Sequence, residues 1–238
     1  MSKLLGILGG VGTLATAFFI ERLARSTDAD TDQEHVSYVC FNHTQIPDRT
    51  AFLVGASDDD PRPALIEGLR FLERSGAGLV ALPCNTSFCF FDKLQASVSV
   101  PIINMPEETV RRSASGGKTV GILATTGTIS TGLYQGIAER AGLSAVIPGD
   151  EDQADLMRII YGQVKAGNVK YADIEGFKAI AQRLLDAGAD TVIAGCTELS
   201  VLNDVHRERL ADLPMTDAMD VLVKASIQGA GGKFRERI

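Results

Sequence analysis

The sequence predicts an α/β protein of two similar lobes. Each lobe is a parallel sheet flanked by helices, and a pseudo-twofold axis relates them. Three observations carry this expectation. Short uninterrupted apolar runs alternate with helical stretches, the pattern of strands covered on both faces. The runs also recur. Lys3-Leu4-Leu5-Gly6-Ile7-Leu8-Gly9-Gly10 is matched by Lys118-Thr119-Val120-Gly121-Ile122-Leu123-Ala124-Thr125. Gly76-Ala77-Gly78-Leu79-Val80-Ala81-Leu82-Pro83-Cys84-Asn85-Thr86 is matched by Gly188-Ala189-Asp190-Thr191-Val192-Ile193-Ala194-Gly195-Cys196-Thr197-Glu198. A third pair is Val100 to Met105 and Leu213 to Ala218. Finally, the spacing from Gly6 to Cys84 nearly equals that from Gly121 to Cys196.

Along the chain, Leu4 to Leu8 reads as a strand, and Leu14 to Ser26 as a helix with Phe18, Phe19 and Leu23 on one side. Val36 to Phe41 is a strand, Pro61 to Arg74 a helix, Leu79 to Leu82 a strand, Ser87 to Ala96 a helix and Ile102 to Asn104 a strand. The second half gives strand Val120 to Leu123, helix Ser130 to Ala141, strand Ala145 to Ile147, helices Glu151 to Ala166 and Ile174 to Ala187, and strand Thr191 to Ala194. Ser57 to Pro61 reads as a solvated loop, and Gly229 to Ile238 as a fraying tail. The lobes are expected at 1–116 and 117–238, with the junction at Gly116-Gly117. Helices Glu107 to Ser113 and 218–228 occupy equivalent places, and either can pack on the other lobe.

A chain of 238 residues, 45% of them hydrophobic, fits one large or two small α/β domains. A net charge of −7 with dispersed basic residues disfavours nucleic acid. Lys3 followed by Leu4 to Ile20 mimics a leader peptide, but the same pattern recurs at 118–128 and glycines interrupt the first copy. No stretch is long and apolar enough to span a bilayer. The four cysteines, Cys40, Cys84, Cys89 and Cys196, lack C-x-x-C spacing and read as thiols of a cytoplasmic protein, with no metal site.

Ligands of open parallel sheets bind beyond the carboxyl ends of strands. Cys84 and Cys196 both fall there, each followed by residues that cap helices and offer hydroxyl or amide groups: Asn85-Thr86 and Thr197-Glu198. A thiol at a helix N-terminus is biased towards thiolate. Two structural cysteines are the commonplace alternative, and the matched positions favour a functional pair. Related by a pseudo-twofold axis, two thiols can face one carbon from opposite sides, which suits proton removal on one face and delivery on the other. Cys40 and Cys89 have no repeat partner and read as structural. The first loops, Gly9-Gly10-Val11-Gly12-Thr13 and Thr125-Thr126-Gly127-Thr128, let backbone amides approach a carboxylate or phosphate, which brings Gly10, Thr125 and Thr128 into the candidate site. The spacing G-x-G-x-x-G fails at Ala15, so a dinucleotide site is not expected.

Gly6-Ile7-Leu8-Gly9-Gly10-Val11-Gly12, Ile46-Pro47-Asp48-Arg49, Pro83-Cys84-Asn85-Thr86 and Gly195-Cys196-Thr197-Glu198-Leu199, in that order, resemble the aspartate/glutamate racemase superfamily, and most of all its aspartate racemase branch. The resemblance implies a cofactor-independent amino-acid racemase with Cys84 and Cys196 as paired acid and base. It implies that Asn85, Thr86 and Thr197 hold the α-carboxylate and amine region, and that Arg49 and Lys165 hold a side-chain carboxylate. Two departures bear on substrate choice: Thr13 stands where the family usually has Pro, and Ser87-Phe88 where it usually has Ala-His. Arg49 also reads as a surface arginine, Lys165 as a helix-end cation and Glu198 as a helix-start charge. His43 follows a strand and can approach the site or lie in solvent. A homodimer is expected. Two rival readings remain: a thiol-dependent cis-trans isomerase of an unsaturated dicarboxylate, and a non-catalytic small-molecule binder.

Overall fold

The computed structural model describes residues 2–235. By internal contacts the chain forms two compact units. One comprises Met1–Met105 with Met219–Ile238, and the other Pro106–Ala218. Gly116-Gly117, read from sequence as the junction, lies inside the second unit.

In the first unit, strands β1 (Leu5–Gly9), β2 (Tyr38–Asn42) and β3 (Leu79–Ala81) form a parallel sheet in the order β2-β1-β3. Its helices are α1 (Thr13–Ser26), α2 (Arg49–Leu53), α3 (Arg62–Arg74) and α4 (Phe91–Gln95). The run expected as a strand at Ile102 to Asn104 makes only a parallel bridge from Ile102 to Val80, held by Val80 N–H to the Pro101 carbonyl and Ile103 N–H to the Val80 carbonyl, both 2.9 Å.

The second unit begins in α5 (Met105–Ser113) and carries β4 (Thr119–Leu123), α6 (Thr126–Ser130), α7 (Leu133–Arg140), β5 (Ser144–Val146), α8 (Asp150–Met157), α9 (Ile174–Asp186), β6 (Thr191–Ala194), α10 (Thr197–Val205), α11 (Arg207–Leu210) and β7 (Met215–Asp217). Its parallel sheet has the order β5-β4-β6-β7. The two sheets therefore share one strand order, and β7 is the full-length counterpart of the bridge at Ile102. The last helix, α12 (Ala218–Gly229), falls in the first unit from Met219 onward.

The repeat extends to packing. Gly6 in β1 and Gly121 in β4 are paired with Val80 and Val192 in register. A Cβ at Gly6 would meet Leu72 Cβ of α3 at 3.3 Å, and one at Gly121 would meet Leu184 Cβ of α9 at 3.0 Å. Each glycine lets a leucine-faced helix seat tightly on its central strand.

Four local expectations are corrected. The helix expected over 130–141 is broken into α6 and α7 at Gly132, whose left-handed φ of 67° starts α7. Thr131 Oγ1 bonds the Gly127 and Thr128 carbonyls and ends α6. The helix expected over 151–166 changes after Met157 into a π-helical segment, Arg158–Val164, continued by the Lys165 N–H to the Ile160 carbonyl. The helix expected over 87–96 begins as a 3₁₀ turn, Thr86–Phe90, where Phe88 stacks on Phe91. The expected fraying tail is tied down through residue 235: Asp28 N–H bonds the Lys233 carbonyl and Arg235 N–H the Ser26 carbonyl, both at 2.8 Å. Residues 236–238 lie outside the described residues. In the same unit, buried Arg22 of α1 ion-pairs with Asp220 of α12.

Candidate active site

In the first unit, β3 delivers Cys84 at its carboxyl end. The Cys84 N–H bonds back to the Leu82 carbonyl at 2.8 Å, a tight turn that stops the strand and directs the chain into the 3₁₀ turn. Cys84, Asn85, Thr86, Ser87 and Phe88 are all buried. The segment after Cys84, Thr86–Phe90, is a 3₁₀ turn rather than the α-helix expected there.

Next to it in the sheet, β1 ends in the glycine loop. Gly10 has φ +85°, and a Cβ there would lie 2.3 Å from the main chain of His43. Only glycine lets the loop after β1 touch the loop after β2. Gly10 N–H bonds Thr16 Oγ1 at 3.2 Å, and that hydroxyl donates to the Gly12 carbonyl at 2.9 Å, which pins the loop to α1. Arg49 completes the arrangement. Its Nη2 donates to the Val11 carbonyl at 2.8 Å, and its Nη1 to the carbonyls of Pro47 (2.9 Å) and Ile46 (3.5 Å). Asp48 caps α2 through the Ala51 N–H at 2.8 Å. The I-P-D-R run thus places a buried guanidinium against the glycine loop, with its plane fixed by main-chain carbonyls. His43 is half-buried and stacks on Phe41, with ring centroids 4.9 Å apart.

In the second unit, β6 delivers Cys196 at the equivalent strand end, and here an α-helix does come next. Cys196 is the N-cap of α10, and its carbonyl accepts the Leu199 N–H at 3.0 Å. Its thiol donates to Glu198 Oε2 at 3.1 Å, and Thr197 Oγ1 donates to the same oxygen at 3.1 Å. Glu198 is only 8% exposed, so this carboxylate is a buried acceptor of two donors from its own helix start. Farther along α10, Ser200 donates to Asp217 Oδ1 at 2.5 Å and Asn203 to Asp217 Oδ2 at 3.3 Å, binding the helix to the end of β7.

The first loop of this unit pairs Thr125 with Thr128. Their hydroxyls lie 3.1 Å apart, and Thr125 Oγ1 accepts the Thr128 N–H at 3.3 Å as the cap of α6. Gln153 of α8 donates to the Ala124 carbonyl at 3.0 Å and braces the loop. Lys165 is exposed just past the π-helical segment, with its ammonium 4.3 Å from the ring centroid of Tyr161.

Sequence reading missed Tyr134 and Asp217. Tyr134 of α7 is fully buried; burial pushes its phenol well above the usual tyrosine range, and Cys196 and Asp217 add to that, while a hydrogen bond with Thr109 opposes it. Asp217 lies in the third matched run and ends β7, and its place at a strand's carboxyl end was the available signal. Tyr134 had none, because only the packing of α7 brings it to β6. Cys40, in edge strand β2, has its thiol pushed up by burial. All four cysteines are thiols rather than disulfides. Among the described residues no group of acidic, cysteine and histidine side chains could hold a metal, and no helix is long and apolar enough to cross a membrane.

Comparison with known proteins adds the family. The pattern described as Asp/Glu/hydantoin racemase matches residues 8–226. The chain is similar to the solved Picrophilus torridus aspartate racemase, with 32% identity and a TM-score of 0.84 over 98% of this chain and 96% of that one. It is similar to the broad specificity amino-acid racemase RacX of Bacillus subtilis (strain 168), 26% identical over 94% of this chain and 96% of the relative. A glutamate racemase of Corynebacterium kroppenstedtii is 31% identical over 58% of this chain and 47% of its own length.

Proposed function

We propose that this chain, which belongs to the Asp/Glu/hydantoin racemase family and is a racemase, interconverts L- and D-aspartate by proton transfer between Cys84 and Cys196. One observation carries the reading. In each sheet a strand paired with the first strand of its unit, β3 with β1 and β6 with β4, is followed within three residues by a buried cysteine. A repeat that preserves two thiols at equivalent strand ends supplies the matched acid and base that a symmetric reaction needs.

The chemistry sets the demands. The α-proton of an amino acid is weakly acidic, and its removal puts negative charge into the α-carboxylate. One thiolate takes that proton as base, and the other thiol gives its proton to the opposite face. The amide of Asn85 and the hydroxyls of Thr86 and Thr197 offer donors for the developing enediolate, where fixed dipoles are worth most. Arg49, held against the glycine loop, offers a guanidinium to the second carboxylate of aspartate, and Lys165 adds positive charge. Both proton carriers belong to the chain, so the reading calls for no cofactor.

The aspartate assignment is supported by the similarity to the Picrophilus enzyme and by the buried Arg49. The test is a panel of acidic and neutral amino acids incubated with the purified protein, without added cofactor, and resolved by chiral chromatography. Aspartate should racemise fastest. A neutral amino acid turning over faster would remove the aspartate assignment, and inertness towards the whole panel would remove the two-thiol reading.

A further inference from the structure

The two thiols are matched in the fold but not in their surroundings. After Cys84 the chain reads Asn85-Thr86, and after Cys196 it reads Thr197-Glu198. The repeat thus places a carboxylate two residues beyond one cysteine and a hydroxyl two residues beyond the other. The difference reaches the sulfur atom itself, because Cys196 Sγ donates to Glu198 Oε2 at 3.1 Å.

We infer that Glu198 is a positioning residue that holds Cys196 as the resting thiol, so that the enzyme waits with Cys196 as proton donor and Cys84 as base. This rests on the two-thiol reading above and deepens it by breaking the symmetry between the partners.

The cause is electrostatic. A carboxylate accepts and does not donate, so the hydrogen bond exists only while Cys196 keeps its proton. Ionising Cys196 would lose that bond and set a second negative charge beside the first in a buried site, where water screens little. Tyr134, fully buried and held neutral, brings no charge of its own, and the negative charges of Cys196 and of Asp217 at the end of β7 both push its phenol up. The α10 N-terminus opposes the repulsion at Cys196 with its amides, but Glu198 occupies the first turn of that helix and offsets part of its field.

From rest, Cys84 thiolate takes the substrate α-proton, and the C–H electron pair passes into the α-carboxylate. Cys196 then donates its proton to the opposite face, leaving Cys84 as thiol and Cys196 as thiolate. That second form is the one Glu198 disfavours. The enzyme returns to rest when Cys196 takes a proton from water and Cys84 releases one.

Alkylation of each cysteine by iodoacetamide, followed peptide by peptide in a mass spectrometer as a function of pH, tests this on the full chain and needs no turnover. Failure here is therefore distinct from failure to racemise. In the parent protein the Cys196 rate should climb to a midpoint above that of a simple cysteine peptide; the midpoint, unlike the rate, does not depend on access. In Glu198→Gln, Cys196 alone should react about tenfold faster at neutral pH with its midpoint lowered, because the repelling charge is gone. Cys40 and Cys89 report general loosening in the same sample. A parent midpoint at or below the peptide's, or a Cys196 midpoint that Glu198→Gln leaves in place, would overturn the assignment.

Discussion

Gly195 and Tyr134 are in contact through an absent side chain: a Cβ on Gly195 would stand 2.9 Å from the Tyr134 ring carbon Cε2. Gly195 is the last residue before Cys196, and its N–H bonds the Leu123 carbonyl at 2.8 Å. The phenol ring therefore fills the space that sets where β6 ends and Cys196 begins. Gly195→Ala should cost about 1–3 kcal/mol of stability through overpacking. It should lower racemisation by more than that loss explains, because Cys196 is displaced. Thermal unfolding and a chiral assay on the folded variant separate the two effects.

The thiol pair makes a sharper demand. Each direction of racemisation needs one base and one acid, so Cys84→Ala and Cys196→Ala should each abolish turnover of both enantiomers. Chiral chromatography from L- and from D-aspartate checks this. Robust activity in either folded variant would exclude the two-base scheme.

Arg49 binds main-chain carbonyls of Val11 and Pro47 in addition to its proposed carboxylate role. Arg49→Leu should therefore do two things. It should lower stability by about 2–4 kcal/mol, because buried acceptors lose charged donors. It should also raise KM for aspartate at least roughly tenfold, the scale of one charge-assisted contact. Alanine as substrate should show only the loss of folded enzyme. Equal losses for both substrates would leave Arg49 as a loop clamp and nothing more.

Asp190 supplies a pH signature of folding. Its Oδ2 accepts the amides of Lys118 and Thr119 at 2.7 and 2.9 Å, joining the start of β4 to the turn before β6. The Thr119 and then the Lys118 hydrogen bond hold its carboxyl below the usual aspartate range. A lowered folded value means the stabilisation is present above the ordinary carboxylate range and lost as pH falls through the lowered value. Asp190→Asn should be less stable than the parent at neutral pH, and the difference should close on acidification. Urea midpoints across the acid range measure it, and a gap that persists or widens in acid would contradict the cause.

Much of the fold and site is legible in the chain. Apolar runs at Leu5, Val120 and Thr191 locate the strands because fully covered parallel strands need no polar alternation, and the strand ends locate both cysteines. Local backbone chemistry escapes such a reading. Thr131-Gly132 splits a helix through a hydroxyl that takes two carbonyls, and the matched prolines Pro101 and Pro214 precede a single bridge in one sheet and a full strand in the other. The side-chain pattern over 158–164 does not distinguish a π-helical ladder from an α-helical one. Glu198 stands out in the sequence but its role does not, because a hydrogen bond to Cys196 depends on the turn into α10 and not on spacing. Tyr134 lies far from Cys196 in sequence, and only tertiary packing brings it there.

The most direct test of the central claim tracks deuterium. Folded protein is incubated with L-aspartate in D₂O, and both enantiomers are separated and weighed by mass spectrometry early in the reaction. If one thiol removes the α-proton and the other delivers a solvent-derived one to the opposite face, the D-aspartate formed carries one deuterium while the remaining L-aspartate is still unlabelled. Deuterium appearing equally in both enantiomers from the start, or D-aspartate formed without it, would contradict the two-thiol account.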